Sequence, residues 1–292
     1  MNASPNPILR GAVCLALTIL VTGMAGCAPE SEGEAVSEDR AEIVEGEHGP
    51  THWGYQVDDG PARWASLDPE WGLCDSGEEQ SPIDLTGPEI ASLPDVVLDV
   101  PSDQEVAVLN QEGVVSALDN GHTVQINAGS GEVLEVGGEE YSLVQFHFHA
   151  PSEHTLDGQH FPMEMHFVHQ AEDGALAVVG AFVEEGPENP SFATIWERLA
   201  AEPGTESTVQ IPSEFGQHLL TGDPTGVYHY VGSLTTPPCS EGVSWYLRRT
   251  PTGLSASQIA AFTAVYDHNN RPVQPLNART LQLDESPRIT LR

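Results

Sequence analysis

Two histidines that alternate along a strand-like segment are the first candidates for chemistry in this sequence. Residues 145–149 read Gln-Phe-His-Phe-His, so His147 and His149 share one face of a strand and the two phenylalanines share the other. Same-face residues of a strand lie about 6.5–7 Å apart at Cα, close enough for two imidazoles to converge on one metal ion. Paired histidines on a strand are more often exposed or hydrogen-bonded core residues, so the pair alone leaves both interpretations open.

A second alternating segment offers a third imidazole. In residues 164–169, Glu164, His166 and Val168 share one face, and His169 lies off that face. If this strand pairs antiparallel with the first, His166 completes a set of three neutral nitrogen ligands. Such a set leaves the fourth position of tetrahedral Zn²⁺ open, whereas structural zinc sites are usually closed and rich in cysteine. The pattern therefore predicts a catalytic zinc site.

Strand-like patterns dominate the part of the chain that must position these histidines. Segments rich in Val, Ile, Phe and Tyr fall at 96–100, 106–109, 123–127, 133–136, 143–149, 163–169, 175–183 and 243–247. Helical patterns are sparse, at 190–199 and at 257–266, where a capping-type serine begins the segment. No second linker or repeat interrupts residues 49–292, so we predict one strand-rich domain with a large sheet.

The charge of the chain restricts its partners. Acidic residues number 44 against 10 basic residues, all of them arginine, and the formal net charge is −34. Eight of the acids lie in residues 28–48 against Arg40 alone, which predicts a disordered acidic tether. The 36 acids and 8 arginines that follow still carry a net charge near −28. Because such a domain repels phosphate groups, we expect no nucleic-acid partner.

The N-terminal residues predict export. Arg10 precedes an apolar stretch, residues 11–24, that is too short to span a membrane and is typical of a signal peptide. The stretch ends in Met24-Ala25-Gly26-Cys27, which resembles the bacterial lipoprotein box and implies cleavage before a lipid-carrying Cys27. Met24 departs from the usual aliphatic residue, so secretion without lipid stays open. We expect residues 1–27 to be removed or processed, a periplasmic or cell-surface location, and membrane contact through Cys27 alone.

Two cysteines remain for the folded domain once the leader and the candidate anchor are set aside. Cys74 and Cys239 lie 165 residues apart. In an exported protein such a pair predicts one disulfide, and two buried free thiols are the alternative.

Several motifs, in one order along the chain, resemble the signature of alpha-class carbonic anhydrases. Around the histidines these are Gln-Phe-His-Phe-His at 145–149, Pro-Ser-Glu-His at 151–154, Glu-Met-His at 164–166 and Gly-Ser-Leu-Thr-Thr-Pro-Pro at 232–238. Trp-Gly-Tyr at 53–55, Gln-Ser-Pro-Ile at 80–83, Asn-Gly-His at 120–122 and residues 269–277 extend the match through the domain. The resemblance implies a mainly β (α+β) fold. Its centre is a twisted, mostly antiparallel sheet of about ten strands with short peripheral helices.

The resemblance also implies roles for the residues around the metal. Zinc is bound by His147, His149 and His166. Gln145 orients His147, and Glu164 orients His166. Thr235 accepts a hydrogen bond from the zinc-bound hydroxide and donates one to Glu153, while Thr236 contacts bicarbonate. His154 and His169 are expected to be structural.

Substrate and proton handling follow from the same resemblance. It places the apolar substrate against five side chains, each of which could equally be plain core: Val168, Val178, Leu234, Val243 and Trp245. His122 is the implied proton shuttle, with an ordinary exposed turn histidine as the alternative. Tyr55 and Asn120 match residues that hold the water molecules connecting the metal site with the shuttle. Cys74 and Cys239 match a disulfide found in exported members.

The implied activity is the reversible hydration of CO₂ to bicarbonate and a proton, in which zinc lowers the pKa of bound water. Two alternatives stay open. One is a metal-free binding protein of the same fold, which arises in the family when a zinc histidine is replaced. The other is a zinc hydrolase that acts mainly on esters.

Overall fold

The computed structural model describes residues 51–99, 115–119, 122–127, 133–197, 199, 206–209 and 225–291. The predicted signal peptide at 1–27, the tether at 28–48, the strand at 106–109, Cys27 and Asn120 lie outside these residues. Among the helices of the described part, none has the length and apolar character needed to cross a membrane.

Strands account for most of the regular structure. They are β1 (Glu89–Ile90), β2 (Val96–Asp99), β3 (Val115–Asp119), β4 (Val124–Asn127), β5 (Val133–Val136), β6 (Glu139–His149), β7 (Thr155–Leu156), β8 (Gln159–His160), β9 (Met163–Gln170), β10 (Leu176–Glu185), β11 (Glu206–Val209), β12 (Thr225–Ser233), β13 (Glu241–Leu254) and β14 (Gln282–Leu291). The helices are short: α1 (Trp64–Leu67), α2 (Leu73–Ser76), α3 (Ala193–Trp196) and α4 (Ala256–Thr263), with 3₁₀ helices at Pro69–Trp71 and Pro190–Phe192. This confirms the predicted mainly β fold.

Twelve of these strands form one large sheet in the order β11-β3-β4-β6-β5-β2-β14-β12-β13-β10-β9, with β1 paired to β14. Most pairings are antiparallel, and the parallel ones are β10–β13, β14–β2 and β1–β14. Because β6 pairs with both β5 and β9, the path of pairings returns on itself and the sheet is strongly curled. The predicted count of about ten strands is close to the observed twelve.

A bulge in β6 determines which side chains of this strand lie on the same face as His147 and His149. Leu143 pairs with His169 and Gln145 with Val168, so Val144 is the extra residue between them and is 44% exposed. Such a bulge shifts the in–out alternation by one position. Leu143, before the bulge, and Phe146, after it, therefore pack into the same hydrophobic core. Beyond the bulge, His147 and His149 lie on the opposite face.

Hydrophobic cores on both faces bury β9 and β10 almost completely. Met165 and Phe167 belong to one core, which α3 and α4 cover through Ile195 and Phe262. Val168, the intervening residue, belongs to the other core. His166 shares the face of Val168, so the metal-side histidines border this second core.

The helix predicted at 257–266 begins earlier than the sequence indicated, and the one predicted at 190–199 is not a continuous α-helix. Ser255, not Ser257, caps α4: the Ser255 Oγ accepts the Gln258 amide at 3.3 Å, and the Gln258 Oε1 accepts the Ser255 amide at 3.1 Å. This reciprocal pair is a capping box, which requires the serine three residues before the glutamine. The segment predicted as a helix at 190–199 begins with a 3₁₀ helix and continues into the single turn of α3. The Asn189 side chain caps its start by accepting the Ser191 amide at 3.1 Å.

The predicted disulfide is confirmed. Cys74 of α2 is bonded to Cys239, which lies in the connection between β12 and β13. Both cysteines are buried and pack with Trp64.

Candidate metal centre

Strands β6 and β9 bring three imidazoles together. They pair antiparallel with His147 directly opposite His166, and His149 follows two residues along β6 on the same face. The ring centroids lie 4.9 Å apart for His147 and His149, 5.2 Å for His147 and His166, and 4.6 Å for His149 and His166. One nitrogen from each ring lies within 4.8 Å of the other two, a spacing suited to one shared metal ion.

Hydrogen bonds on the outer side of each ring determine which nitrogen can bind a metal. In every case one ring nitrogen is bonded to an oxygen that can only accept: His147 Nδ1 to Gln145 Oε1 at 2.8 Å, His149 Nδ1 to the Asn269 carbonyl at 2.7 Å, and His166 Nε2 to Glu164 Oε1 at 2.9 Å. These nitrogens must carry the proton. The lone pairs therefore lie on His147 Nε2, His149 Nε2 and His166 Nδ1.

Burial favours the neutral form of His147 and His149, the form in which imidazole binds metals. His149 and His166 are each 1% exposed. Burial lowers the pKa of His147 well below its ordinary value, and the neighbouring His149 and His166 lower it further. Burial also lowers the pKa of His149 despite the nearby Glu153. His149 Nε2 is buried without a hydrogen-bond partner among the described residues. An orphaned lone pair beside two others fits a Zn²⁺ site with three nitrogen ligands.

Glu153 lies directly beside this centre. It is fully buried; its Oε1 accepts the Arg271 amide at 2.8 Å, and its Oε2 lies 3.6 Å from His149 Nε2 and 3.8 Å from His166 Nδ1. Oε2 has no hydrogen-bond partner in the described part of the chain. The Thr235 hydroxyl, which the resemblance assigns to this carboxylate, is therefore not bonded to Oε2, and that role stays a prediction.

Thr235 and Thr236 lie in the tight connection between β12 and β13. Two backbone hydrogen bonds close the connection. The Leu234 amide donates to the Ser240 carbonyl at 2.9 Å, and the Cys239 amide donates to the Thr236 carbonyl at 2.9 Å. Thr235 is 5% exposed and Thr236 is partly buried. The disulfide at Cys239 fastens the same connection to α2.

The five predicted substrate-contact residues form part of a single hydrophobic core. Four are buried and Leu234 is partly buried against them; the buried ones are Val168, Val178, Val243 and Trp245. The Trp245 ring centroid lies 4.8 Å from that of His166, so this core contacts the metal centre.

His122 lines a separate, solvent-open pocket. Its ring stacks on Trp53 with centroids 3.8 Å apart and lies 6.3 Å from the Tyr55 ring. Burial raises the pKa of Tyr55 well above its ordinary value, and Glu153 raises it further. The Asn269 side chain donates to the His122 carbonyl at 2.8 Å, which connects this pocket to the metal centre.

The sequence did not indicate that Asn269 and Arg271 support the site, or that His154 contacts Glu164. The Asn269 carbonyl orients His149, and the Arg271 amide holds Glu153; both residues lie in the motif at 269–277, to which no role was assigned. His154 was expected to be structural, and its ring contacts Glu164. The motif at 269–277 was a signal that a site segment lies there.

Comparisons with known proteins agree with this geometry. Residues 59–285 match the family model described as eukaryotic-type carbonic anhydrase. A carbonic anhydrase of Pectobacterium atrosepticum is 42% identical over 233 residues, covering 79% of this chain and 90% of that protein. One from Nostoc is 38% identical over 266 residues, covering 91% of this chain and 93% of that protein. The solved alpha-carbonic anhydrase of Thermovibrio ammonificans, in complex with sulfanilamide, superposes with a TM-score of 0.72 at 40% identity, covering 80% of this chain and all of that one. The chain therefore belongs to the alpha, or eukaryotic-type, family of carbonic anhydrases.

Proposed function

We propose that the protein catalyses the reversible hydration of CO₂ to bicarbonate and a proton, with zinc held by His147 Nε2, His149 Nε2 and His166 Nδ1. The observation that carries this proposal is the convergence of three lone pairs, each fixed by an acceptor on the far side of its ring. When bound, zinc lowers the pKa of a water ligand to about 7 and so supplies a nucleophile at neutral pH.

The protein's own groups then orient the reactants. In this proposal Glu153 Oε2, which is buried and has no hydrogen-bond partner among the described residues, accepts a hydrogen bond from the Thr235 hydroxyl. The Thr235 oxygen would in turn accept the hydrogen of the nucleophile and direct its lone pair toward the carbon of CO₂. The apolar core around Val243 and Trp245 suits an uncharged linear substrate and gives bicarbonate no strong partner, which favours its release.

The proton must leave for bulk solvent after each turnover. Imidazole side chains are suited to accept and release protons in water. His122 lines a solvent-open pocket. The Asn269 side chain connects it to Phe148 of β6, the strand that carries His147 and His149. His122 is therefore the shuttle in this proposal.

Stopped-flow CO₂ hydration on the purified protein tests the proposal. We expect rapid hydration with one zinc per chain, loss of activity after a chelator removes the metal, and recovery on zinc addition. A protein that binds zinc fully and does not hydrate CO₂ would overturn it. Ester hydrolysis without CO₂ hydration would identify the hydrolase instead, and failure to bind zinc would identify a binding protein.

We also infer export and lipid anchoring through Cys27. The apolar stretch that ends at Cys27 supports both inferences. The disulfide supports export alone, because such bonds persist in oxidising compartments. In a bacterial host, Cys27→Ser should release the protein from membranes into the soluble exported fraction. Equal membrane partitioning of variant and wild type would contradict the anchor.

A further inference from the structure

The pocket that His122 lines contains a histidine to which the proposed proton path gives no role. His268 lies in the connection between α4 and β14 and lines this pocket together with its neighbour Asp267. The side chains of both residues are 75% exposed. A solvent-exposed imidazole in the pocket that receives protons is a candidate for proton transfer to the solvent.

The backbone of His268 has an uncommon conformation. Its φ is 63°, in the left-handed region, which few residues other than glycine adopt, although histidine, asparagine and aspartate do so more often than the rest. The His268 amide donates to the carbonyl of Ala150 at 3.0 Å, and Ala150 directly follows His149. Backbone conformations of this kind cluster at functional sites. The His268 ring is thus presented from a backbone that is attached to the end of β6.

Asp267 determines which nitrogen of the His268 ring can accept a proton. Nδ1 of His268 lies 2.6 Å from Asp267 Oδ1, and a carboxylate oxygen can only accept, so Nδ1 carries the proton of the neutral ring. The lone pair therefore lies on Nε2. When Nε2 takes up a proton, the positive charge of the ring lies beside the carboxylate of Asp267.

His122 and His268 are attached to the same end of β6 by separate hydrogen bonds. The Asn269 side chain joins the His122 carbonyl to that of Phe148, whereas the His268 amide itself binds the Ala150 carbonyl. Loss of the His122 imidazole therefore leaves the attachment of His268 intact.

The inner wall of the pocket adjoins the metal centre. Burial raises the pKa of Tyr55, which lines the pocket, and Glu153 raises it further, so this wall lies within electrostatic range of Glu153. A proton released at the metal centre thus enters a pocket lined by both His122 and His268. The exposed His52 also lines the pocket, but its ring lies 6.2 Å from that of His122, so it extends the His122 path and does not provide another.

We propose that His268 is a second proton-transfer residue, which carries protons from the pocket to the solvent independently of His122. Each hydration of CO₂ releases one proton. His268 Nε2 accepts this proton from water in the pocket and then gives it to a dissolved buffer base, which restores the neutral ring. The inference rests on the proposed function, because CO₂ hydration is the source of the protons.

Removal of His268 from a protein that already lacks His122 tests the proposal. His268→Asn deletes the imidazole and keeps a residue that tolerates the left-handed backbone. In stopped-flow CO₂ hydration in weak buffer, we expect kcat of His122→Ala/His268→Asn to be about threefold or more below that of His122→Ala. The value of kcat/KM should be the same in both, since it reports the hydration step. Added imidazole should raise both variants to the same kcat.

His160→Asn in the His122→Ala protein is the matched control. His160 is exposed, its Nδ1 is bonded to the Ser152 carbonyl at 2.6 Å, and it does not line the pocket. Equal kcat values of His122→Ala and His122→Ala/His268→Asn in weak buffer would overturn the role of His268 alone, as would an equal loss in the control. A wild type that binds zinc and does not hydrate CO₂ would overturn the proposed function and this inference with it.

Discussion

The backbone carbonyl of Asn269 accepts a 2.7 Å hydrogen bond from Nδ1 of His149, 120 residues earlier in the chain. The Asn269 side chain fixes that carbonyl in place, since it donates to the carbonyls of His122 and Phe148 and accepts the Ala150 amide at 2.7 Å. One residue thus connects the end of β6, the candidate metal ligand His149 and the segment that carries His122.

Asn269→Ala should destabilise the protein and weaken zinc binding. The substitution removes one donor from the His122 carbonyl and one from the Phe148 carbonyl, and it removes the side-chain acceptor of the Ala150 amide. Each buried group left unsatisfied costs about 1–3 kcal/mol. Urea unfolding and chelator competition measure the two effects. Asn270→Ala is the control, and equal effects of both substitutions would show that Asn269 has no special role.

His166→Ala should abolish zinc retention and CO₂ hydration together. It removes one of the three nitrogen ligands, and it also removes one of the two imidazoles that Glu164 holds. We expect zinc affinity to fall by about 100-fold or more, beyond the losses that supporting residues cause. Metal content after dialysis is the measurement, with His160→Ala as the control. Stoichiometric zinc in dialysed His166→Ala would contradict the ligand assignment.

His122→Ala should slow turnover chiefly where exogenous buffer is scarce. Proton transfer limits kcat there, whereas kcat/KM reports the hydration step and should be unchanged. We expect kcat in weak buffer to fall about tenfold or more, and added imidazole to restore it. If kcat in weak buffer equals that of wild type, His122 is not the shuttle.

Loss of the disulfide should lower thermal stability. Cys74–Cys239 closes a loop of 165 residues, and native disulfides contribute about 2–5 kcal/mol. Thermal unfolding of the double variant Cys74→Ser/Cys239→Ser, with wild type in reductant alongside, measures the effect. An unchanged Tm in both would count against a role for the bond in holding the Thr235 segment.

His169 should make the fold sensitive to acid. It is fully buried, and burial lowers its pKa from 6.5 to about 4. Between these values the unfolded chain binds a proton that the folded protein does not, so the contribution of His169 is complete above pH 6.5 and is lost as pH falls toward 4. The loss is of order 3 kcal/mol.

Urea unfolding of wild type and His169→Leu at pH 4.5 and 7.5 measures the contribution of His169 to the free energy of unfolding. We expect the variant to lose less stability than wild type between the two pH values, by about 2–3 kcal/mol. Parallel losses in both proteins would exclude His169 as the cause.

The cluster of three histidines was predictable because its signals are local. Alternation assigned His147, His149 and His166 to shared faces, and the family motifs joined them. The bulge at Val144 was not predictable, since it exists only through the pairing of β6 with β9. Nor was the support of His149 by Asn269, because a backbone carbonyl carries no residue-type signature. The contact of His154 with Glu164 depends on the β7–β8 hairpin between them, which strand periodicity does not resolve.

The segment that carries Thr235 is fastened from two sides, covalently at Cys239 and through Ser233 to Ser81. A connection held in this way cannot swing open and shut as a lid. Turnover would therefore not wait for this segment to open and close. Rigidity of this segment thus serves speed as well as stability.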